Sequence, residues 1–122
     1  METIEASERL AALGHETRLT IFRLLVQAGP EGVSAGVISE QMDLPAATLS
    51  FHLAHLNRVG LIKGRQEGRF IFYSADYPTM DDLLAYLTHN CCQGDACLPK
   101  TAVSKSPAKN RKLKSISLKE RS

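Results

Sequence analysis

Apolar residues recur at helical spacing in five segments of the chain. Leu19, Phe22 and Val26 fall on one side of a helix over about residues 16–28, and Gly29 ends that helix. Further helices are predicted over about 4–13, 34–42, 45–59 and 78–90. The pattern therefore predicts a mainly helical fold.

The spacing of apolar residues changes after Gly60. Residues 61–66 and 69–74 read as two strands on either side of Glu67-Gly68, a pair that is typical of a hairpin turn. Two short helices joined by a tight turn and followed by a hairpin form a winged helix-turn-helix, whose second helix enters the major groove of DNA. The predicted fold class is therefore mainly α with a β-hairpin wing (α+β).

The fourth predicted helix has one apolar face and one face of small residues. Leu49, Leu53 and Leu56 form its inward stripe, so the opposite face is free to meet DNA bases. Small side chains allow close approach, and the wing adds basic side chains that suit the DNA backbone. The alternative is an amphipathic helical domain whose hairpin only packs against it. The residues predicted to contact DNA are Ala46, Ala47, Ser50, Phe51, His55, Arg58, Lys63, Arg65 and Arg69.

Charge is distributed unevenly along the 122 residues. Residues 1–97 carry 7 basic and 12 acidic side chains, whereas residues 98–122 carry 8 basic side chains against Glu120 alone. The second segment is also rich in Lys, Ser and Pro, which is typical of disorder. We therefore predict a DNA-binding domain over 1–97, which ends with the three cysteines of the chain, and a basic tail over 98–122. The tail either attracts DNA phosphates or only keeps the protein soluble.

The sequence argues against membrane proteins, secreted proteins and enzymes. It contains no apolar run of the length that spans a membrane, and its acidic N-terminus lacks the apolar segment of a signal peptide. It shows no Ser-His-Asp arrangement, paired carboxylates or glycine-rich phosphate loop. We therefore expect a cytoplasmic protein with reduced thiols that is not an enzyme.

All three cysteines of the chain, Cys91, Cys92 and Cys97, lie close together after the last predicted helix. Thiolates select soft ions. Three thiolates complete the coordination of As(III) or Sb(III), whereas zinc prefers four ligands. Gly94 gives the loop the freedom to bring Cys97 back to the other two. Cadmium and lead also bind three thiolates. The sequence therefore indicates the number of ligands more clearly than the identity of the ion.

Residues 49–53 (LSFHL) are followed by Leu56, by Gly60-Leu61-Ile62 and by Gly68-Arg69 ahead of Tyr73, and residues 13–19 read LGHETRL. Together these stretches resemble the signature of the ArsR/SmtB metalloregulators. The resemblance spans about residues 6–90. It implies a homodimeric winged-helix repressor that dimerises through its first and last helices. It also implies that the repressor binds operator DNA more weakly when a metal or metalloid is bound.

Some arsenic regulators of that family carry three cysteines just after the last helix. The resemblance therefore implies that Cys91, Cys92 and Cys97 hold As(III) or Sb(III) as effector, with no organic cofactor. Three alternatives stay open: a repressor of the same fold that responds to thiol oxidation, one that responds to Cd, Pb or Zn, and an interaction module stapled by zinc.

Overall fold

The computed structural model describes residues 1–91, and within it Met1–Leu87 form one compact unit. A second unit begins at Thr88, and four of its residues are described. The elements of the described part are α1 (Thr3–Leu13), α2 (Glu16–Ala28), β1 (Val33–Ser34), α3 (Ala35–Met42), α4 (Ala46–Arg58), β2 (Ile62–Glu67), β3 (Phe70–Ala75) and α5 (Tyr77–Thr88). All five predicted helices and both predicted strands are present, which confirms the fold class.

Side-chain caps mark where α2 and α3 begin. The His15 ring accepts a hydrogen bond from the Thr17 N–H at 3.2 Å, and the Ser34 hydroxyl accepts one from the Val37 N–H at 3.3 Å. Each satisfies an amide that has no partner in the first turn of its helix. The prediction that α4 begins at Pro45 is wrong by one residue, because Pro45 has extended backbone and serves as the N-cap.

The predicted hairpin belongs to a three-stranded antiparallel sheet in which β3 lies between β1 and β2. Its turn comes one residue later than predicted, since Gly68 has a φ of 63° and Glu67 still pairs with Phe70. Glycine favours that left-handed conformation because it has no side chain to clash. The sequence does not predict β1, which at two residues is too short to show alternation.

One hydrophobic core joins the first four helices to the hairpin. The predicted inward stripe of α4, Leu49, Leu53 and Leu56, is buried at its centre, which confirms the orientation of that helix. Tyr77 and Met80 of α5 pack against the same core. The buried members of the core are Ala12, Ile21, Phe22, Leu25, Ile38, Leu49, Leu53, Leu56, Leu61, Ile62 and Ala75.

Some apolar residues in the helices are exposed rather than buried. Ile4 of α1 is 72% exposed, and Leu10 and Val37 are also exposed. In α1 the buried positions are instead Ala6 and Ala12, whose small side chains let the helix lie close to the core. Periodic spacing marks an apolar face, but it does not distinguish a face that meets the core from one that a second molecule covers.

Two glycines give a matched test of backbone conformation. Gly60 follows α4 with a φ of 83°, whereas Gly36 lies in α3 with open space where a Cβ would stand. We expect Gly60→Ala to lower the free energy of unfolding by about 1–2 kcal/mol, because left-handed backbone is strained for alanine. Gly36→Ala should raise it by about 0.5 kcal/mol. Urea unfolding measures both, and equal effects of the two changes would contradict the conformation described at Gly60.

Candidate nucleic-acid interface

Helix α4 is held at the centre of the described fold with one face free. Its buried stripe packs on the core, and at its C-terminal end Arg9 of α1 donates a hydrogen bond from Nε to the Val59 carbonyl at 2.8 Å. A carbonyl at the end of a helix has no partner within the helix, so this bond satisfies a group that would otherwise lack one. The contact joins the C-terminal end of α4 to α1.

The turn between α3 and α4 is closed by a pair of reciprocal contacts. The Leu44 N–H donates to the Ser39 carbonyl at 3.0 Å, and the Ser39 hydroxyl donates to the Leu44 carbonyl. Asp43 takes the left-handed conformation, with a φ of 54°, and reverses the chain. Asparagine and aspartate tolerate that conformation better than most residues do. These contacts close the turn between the two helices of the motif.

The exposed face of α4 carries the residues predicted to meet DNA bases. Ala46, Ala47 and Ser50 are exposed, and Phe51 is 68% exposed. A large apolar side chain gains little from facing water, whereas in a major groove it can contact the methyl group of thymine. The small side chains beside Phe51 leave the helix surface open to close approach by a macromolecule.

Two further predicted residues lie near the C-terminal end of α4. Arg58 is exposed and His55 is half-buried. Burial lowers the pKa of His55 below its ordinary value, and the positive charges of Arg18 and Arg58 lower it further. His55 is therefore mainly neutral at neutral pH, and an approaching phosphate would favour its charged form.

The wing presents three basic side chains, but they are not equivalent. Arg65 is engaged within the protein: its Nε lies 2.6 Å from a Glu67 carboxylate oxygen, and its Nη2 donates to the Glu31 carbonyl at 3.2 Å. Its guanidinium also lies over the Phe72 ring, 5.3 Å from the centroid. By contrast, Lys63 is exposed on the same strand.

Arg69 lies in the turn of the wing, and no salt bridge holds it among residues 1–91. Beside it, Phe70 is 62% exposed at the start of β3. The predicted DNA contacts do not include Phe70. The sequence could have indicated it, because an aromatic residue beside a basic hairpin turn is suited to contact nucleic acid. The tip of the wing therefore combines an exposed positive charge with an exposed ring.

The difference between Arg69 and Arg65 leads to a prediction. Arg69→Ala should weaken DNA binding similarly on all sequences and reduce the slope of log affinity against log salt by about 1, as expected for the loss of one phosphate contact. Arg65→Ala makes the same change in charge. It should alter the slope less, because Arg65 already has protein partners. Anisotropy titrations at several salt concentrations measure both slopes, and a larger change for Arg65→Ala would contradict this assignment.

The predicted thiol site lies mostly beyond the described residues. Cys91 is half-buried, whereas Cys92 and Cys97 fall outside residues 1–91. Within the described part of the chain, no group of three His, Cys, Asp or Glu side chains is arranged to hold a metal ion. The same part contains no helix long and apolar enough to cross a membrane. The cysteine cluster thus stays a prediction from the sequence.

Comparison with known proteins points to transcriptional regulators. A family model described as a helix-turn-helix domain matches residues 13–65. The uncharacterized HTH-type transcriptional regulator MJ1325 of Methanocaldococcus jannaschii is 39% identical over 74 residues, which are 60% of this chain and 81% of that protein. The transcriptional activator HlyU of Vibrio cholerae is 31% identical over 86 residues, which are 70% of this chain and 77% of HlyU.

Solved structures share the same fold. The structure described as reduced HlyU from Vibrio cholerae aligns with a TM-score of 0.59 at 31% identity, over 75% of this chain and 93% of that one. An ArsR-like transcriptional regulator from Rhodococcus sp. RHA1 aligns with a TM-score of 0.66 at 25% identity, over 75% of this chain and 83% of that one. These relatives are regulators of transcription, and none of them is described as an enzyme.

Proposed function

Because the chain belongs to the ArsR/SmtB family of winged-helix transcriptional regulators, we propose that it is an arsenic-responsive repressor. It binds operator DNA as a dimer and is released when As(III) or Sb(III) binds the thiolates of Cys91, Cys92 and Cys97. The observation that carries the DNA-binding part is the exposed face of α4, where Ala47 and Ser50 lie opposite the buried stripe that packs on the core.

Charge supports the wing as the second DNA contact. Residues 1–97 carry an excess of acidic side chains, yet Lys63 and Arg69 are exposed on the hairpin that follows α4. In a winged helix, positive charge at this place meets the phosphates on either side of the groove that the recognition helix enters. Base contacts then come from α4, where Ser50 can donate to or accept from a base edge and Phe51 can touch thymine.

An apolar surface on α5 supports the dimer. Leu84 and Leu87 are 54% and 52% exposed, one turn apart on the helix. Leu84 also lines a groove of ≈ 330 Å³ together with Leu19 and Phe22 of α2. Covering this surface with a second copy would remove apolar area from water, at about 25 cal/mol for each Å². A two-fold dimer would also present two α4 helices to half-sites that are about one turn of DNA apart.

The effector part of the proposal rests on the order of the sequence. Cys91 follows Leu87 by four residues, and Cys92 and Cys97 come within the next six. Three thiolates drawn onto one ion would constrain the chain directly after the helix proposed for the dimer. A change there shifts the spacing between the two recognition helices, and a coupling of about 1–3 kcal/mol would lower DNA affinity by about 5–150-fold.

A reporter assay tests this function in cells. The region upstream of the gene drives a reporter in a host that expresses the full chain, and arsenite, antimonite, cadmium or zinc is added. We expect repression without effector and strong induction by arsenite and antimonite. Induction by zinc alone would reject the arsenic assignment while keeping the regulator, and a reporter that is never repressed would contradict repression itself.

A second candidate is a repressor of the same fold that responds to thiol oxidation. It is favoured by one comparison, because the similar HlyU structure is described as reduced. The two candidates separate cleanly under a strong reductant that keeps all thiols reduced. An arsenic sensor still releases DNA with arsenite under these conditions, whereas a redox sensor ignores arsenite and responds only to peroxide or persulfide once the reductant is removed.

A further inference from the structure

Arg18 and His52 join two segments that lie far apart in the sequence. Arg18 stands in α2 and His52 in α4, and Nη1 of Arg18 lies 3.4 Å from Nδ1 of His52. The Nε of Arg18 donates to the Ala12 carbonyl at 2.7 Å, near the end of α1. One guanidinium therefore links α1, α2 and the recognition helix.

The direction of these contacts determines the protonation state of His52. An arginine side chain has only donors, so Nδ1 of His52 must accept and its proton must be on Nε2. A doubly protonated ring could not accept from Arg18 and would place a second positive charge beside it. His52 therefore makes the contact only in its neutral form.

The surroundings of His52 favour that neutral form. The residue is 8% exposed, and its ring lies 5.0 Å from the His15 ring and 5.8 Å from the Phe51 ring, between centroids. Burial lowers the pKa of His52 below its ordinary 6.5, and the charges of His15, Arg18 and His55 lower it further. These three groups come from the N-cap of α2, from α2 itself and from α4, and the positive charge of each disfavours a charged His52.

A second contact acts at the other end of α4. Arg9 of α1 donates to the Val59 carbonyl at the C-terminal end of α4. Near the middle of α4, Arg18 of α2 bridges His52 to the Ala12 carbonyl of α1. Two separated contacts fix the rotation of a helix, which one contact cannot do. His52 directly follows Phe51, so rotation of α4 would move the exposed face that Phe51 belongs to.

We propose that Arg18 and neutral His52 are positioning residues that hold the DNA-reading face of α4 in its binding orientation relative to α1. The inference rests on the proposed function, because it concerns how operator DNA is read. It adds a dependence on pH: DNA binding is weakened when His52 takes up a proton and loses the contact with Arg18.

The sign of the pH effect follows from the lowered pKa. An unfolded chain protonates this histidine near 6.5, whereas the folded chain does so at lower pH. Above 6.5 both states are neutral and the contact is fully present. As pH falls through 6.5 toward the folded pKa, the unfolded state binds more protons and the contribution of His52 to stability is lost.

The test uses the full chain and fluorescence anisotropy on its own upstream DNA. His52→Asn replaces Nδ1 by a group that accepts but does not titrate. We expect it to bind within about twofold of wild type near pH 7.5. Between about pH 7.5 and about pH 5.5 the ratio of wild-type to variant affinity should fall. His89→Asn is the matched control and should follow the wild type at every pH.

Arg18→Lys keeps the charge but cannot make both contacts, because an ammonium lacks the planar fork of a guanidinium. Its operator affinity should fall about tenfold at a temperature where circular dichroism shows it folded. Arg23→Lys, on the same helix, should bind as the wild type does. A role in stability alone would lower the melting temperature and leave the affinity of the folded protein unchanged.

Two results would overturn the inference while leaving the proposed function intact. The first is that folded Arg18→Lys binds operator with the same affinity as the wild type. The second is that the affinities of the wild type and of His52→Asn change in parallel as the pH falls. Wild type that fails to bind its upstream DNA at any pH would instead contradict the proposed function. The wild-type titration therefore distinguishes the two failures.

Discussion

Replacing Cys91, Cys92 and Cys97 together by serine should leave operator binding intact and abolish its response to arsenite. Serine keeps the size of each side chain but does not provide a thiolate, which is the ligand that As(III) requires. The chain has three cysteines in all, so the triple variant contains no thiol. Wild-type DNA affinity should fall by about 5–150-fold with arsenite, and that of the variant should stay constant.

The single cysteine variants sharpen this test. If all three thiolates bind one ion, then Cys91→Ser, Cys92→Ser and Cys97→Ser should each lose most of the response, because two ligands leave the pyramid incomplete. A single variant that responds like the wild type would remove that cysteine from the site. Release of the triple variant by arsenite would show that the effector acts elsewhere in the protein.

Ser50→Glu should lower operator affinity by about 100-fold or more. Ser50 is exposed in the middle of the face of α4 that is proposed to enter the groove. A carboxylate there meets base edges and phosphates without a partner, and like charges forced together at an interface cost several kcal/mol. Glutamate favours helices at least as much as serine does, so the fold should be kept.

Thr20→Glu provides the matched control for Ser50→Glu. Thr20 is exposed on α2, and the substitution changes the net charge by the same amount. Its effect on operator affinity should be small, because Thr20 belongs to α2 and not to the α4 surface proposed to enter the groove. Anisotropy titrations at fixed salt compare the two variants. Equal losses for both would mean that total charge, rather than the α4 surface, governs binding.

The sequence predicts the orientation of α4 correctly because its pattern is local and periodic. Leu49, Leu53 and Leu56 repeat with the period of a helix, and the structure buries all three. The turn between Asp43 and Pro45 is predicted for a similar reason, since these residues favour chain reversal. Where neighbours in the sequence determine the structure, the sequence is a good guide.

Contacts between residues that are distant in the sequence cannot be predicted from local periodicity. Arg18 and His52 are 34 positions apart, and only the packing of α2 against α4 brings them together. The ion pair between Arg65 and Glu67 is easier to predict from the sequence, because residues two apart on a strand share a face. The exposure of Leu84 and Leu87 is a third case, since spacing alone does not reveal what covers an apolar face.

The most direct test of the proposed sensor is a titration of the purified, fully reduced full chain on its own upstream DNA. Fluorescence anisotropy follows the complex as arsenite is added. The proposal predicts tight binding without arsenite and release that is complete near about one arsenite for each chain, as three thiolates per ion require. A complex that stays intact at a large excess of arsenite, while the thiols remain reduced, would contradict it.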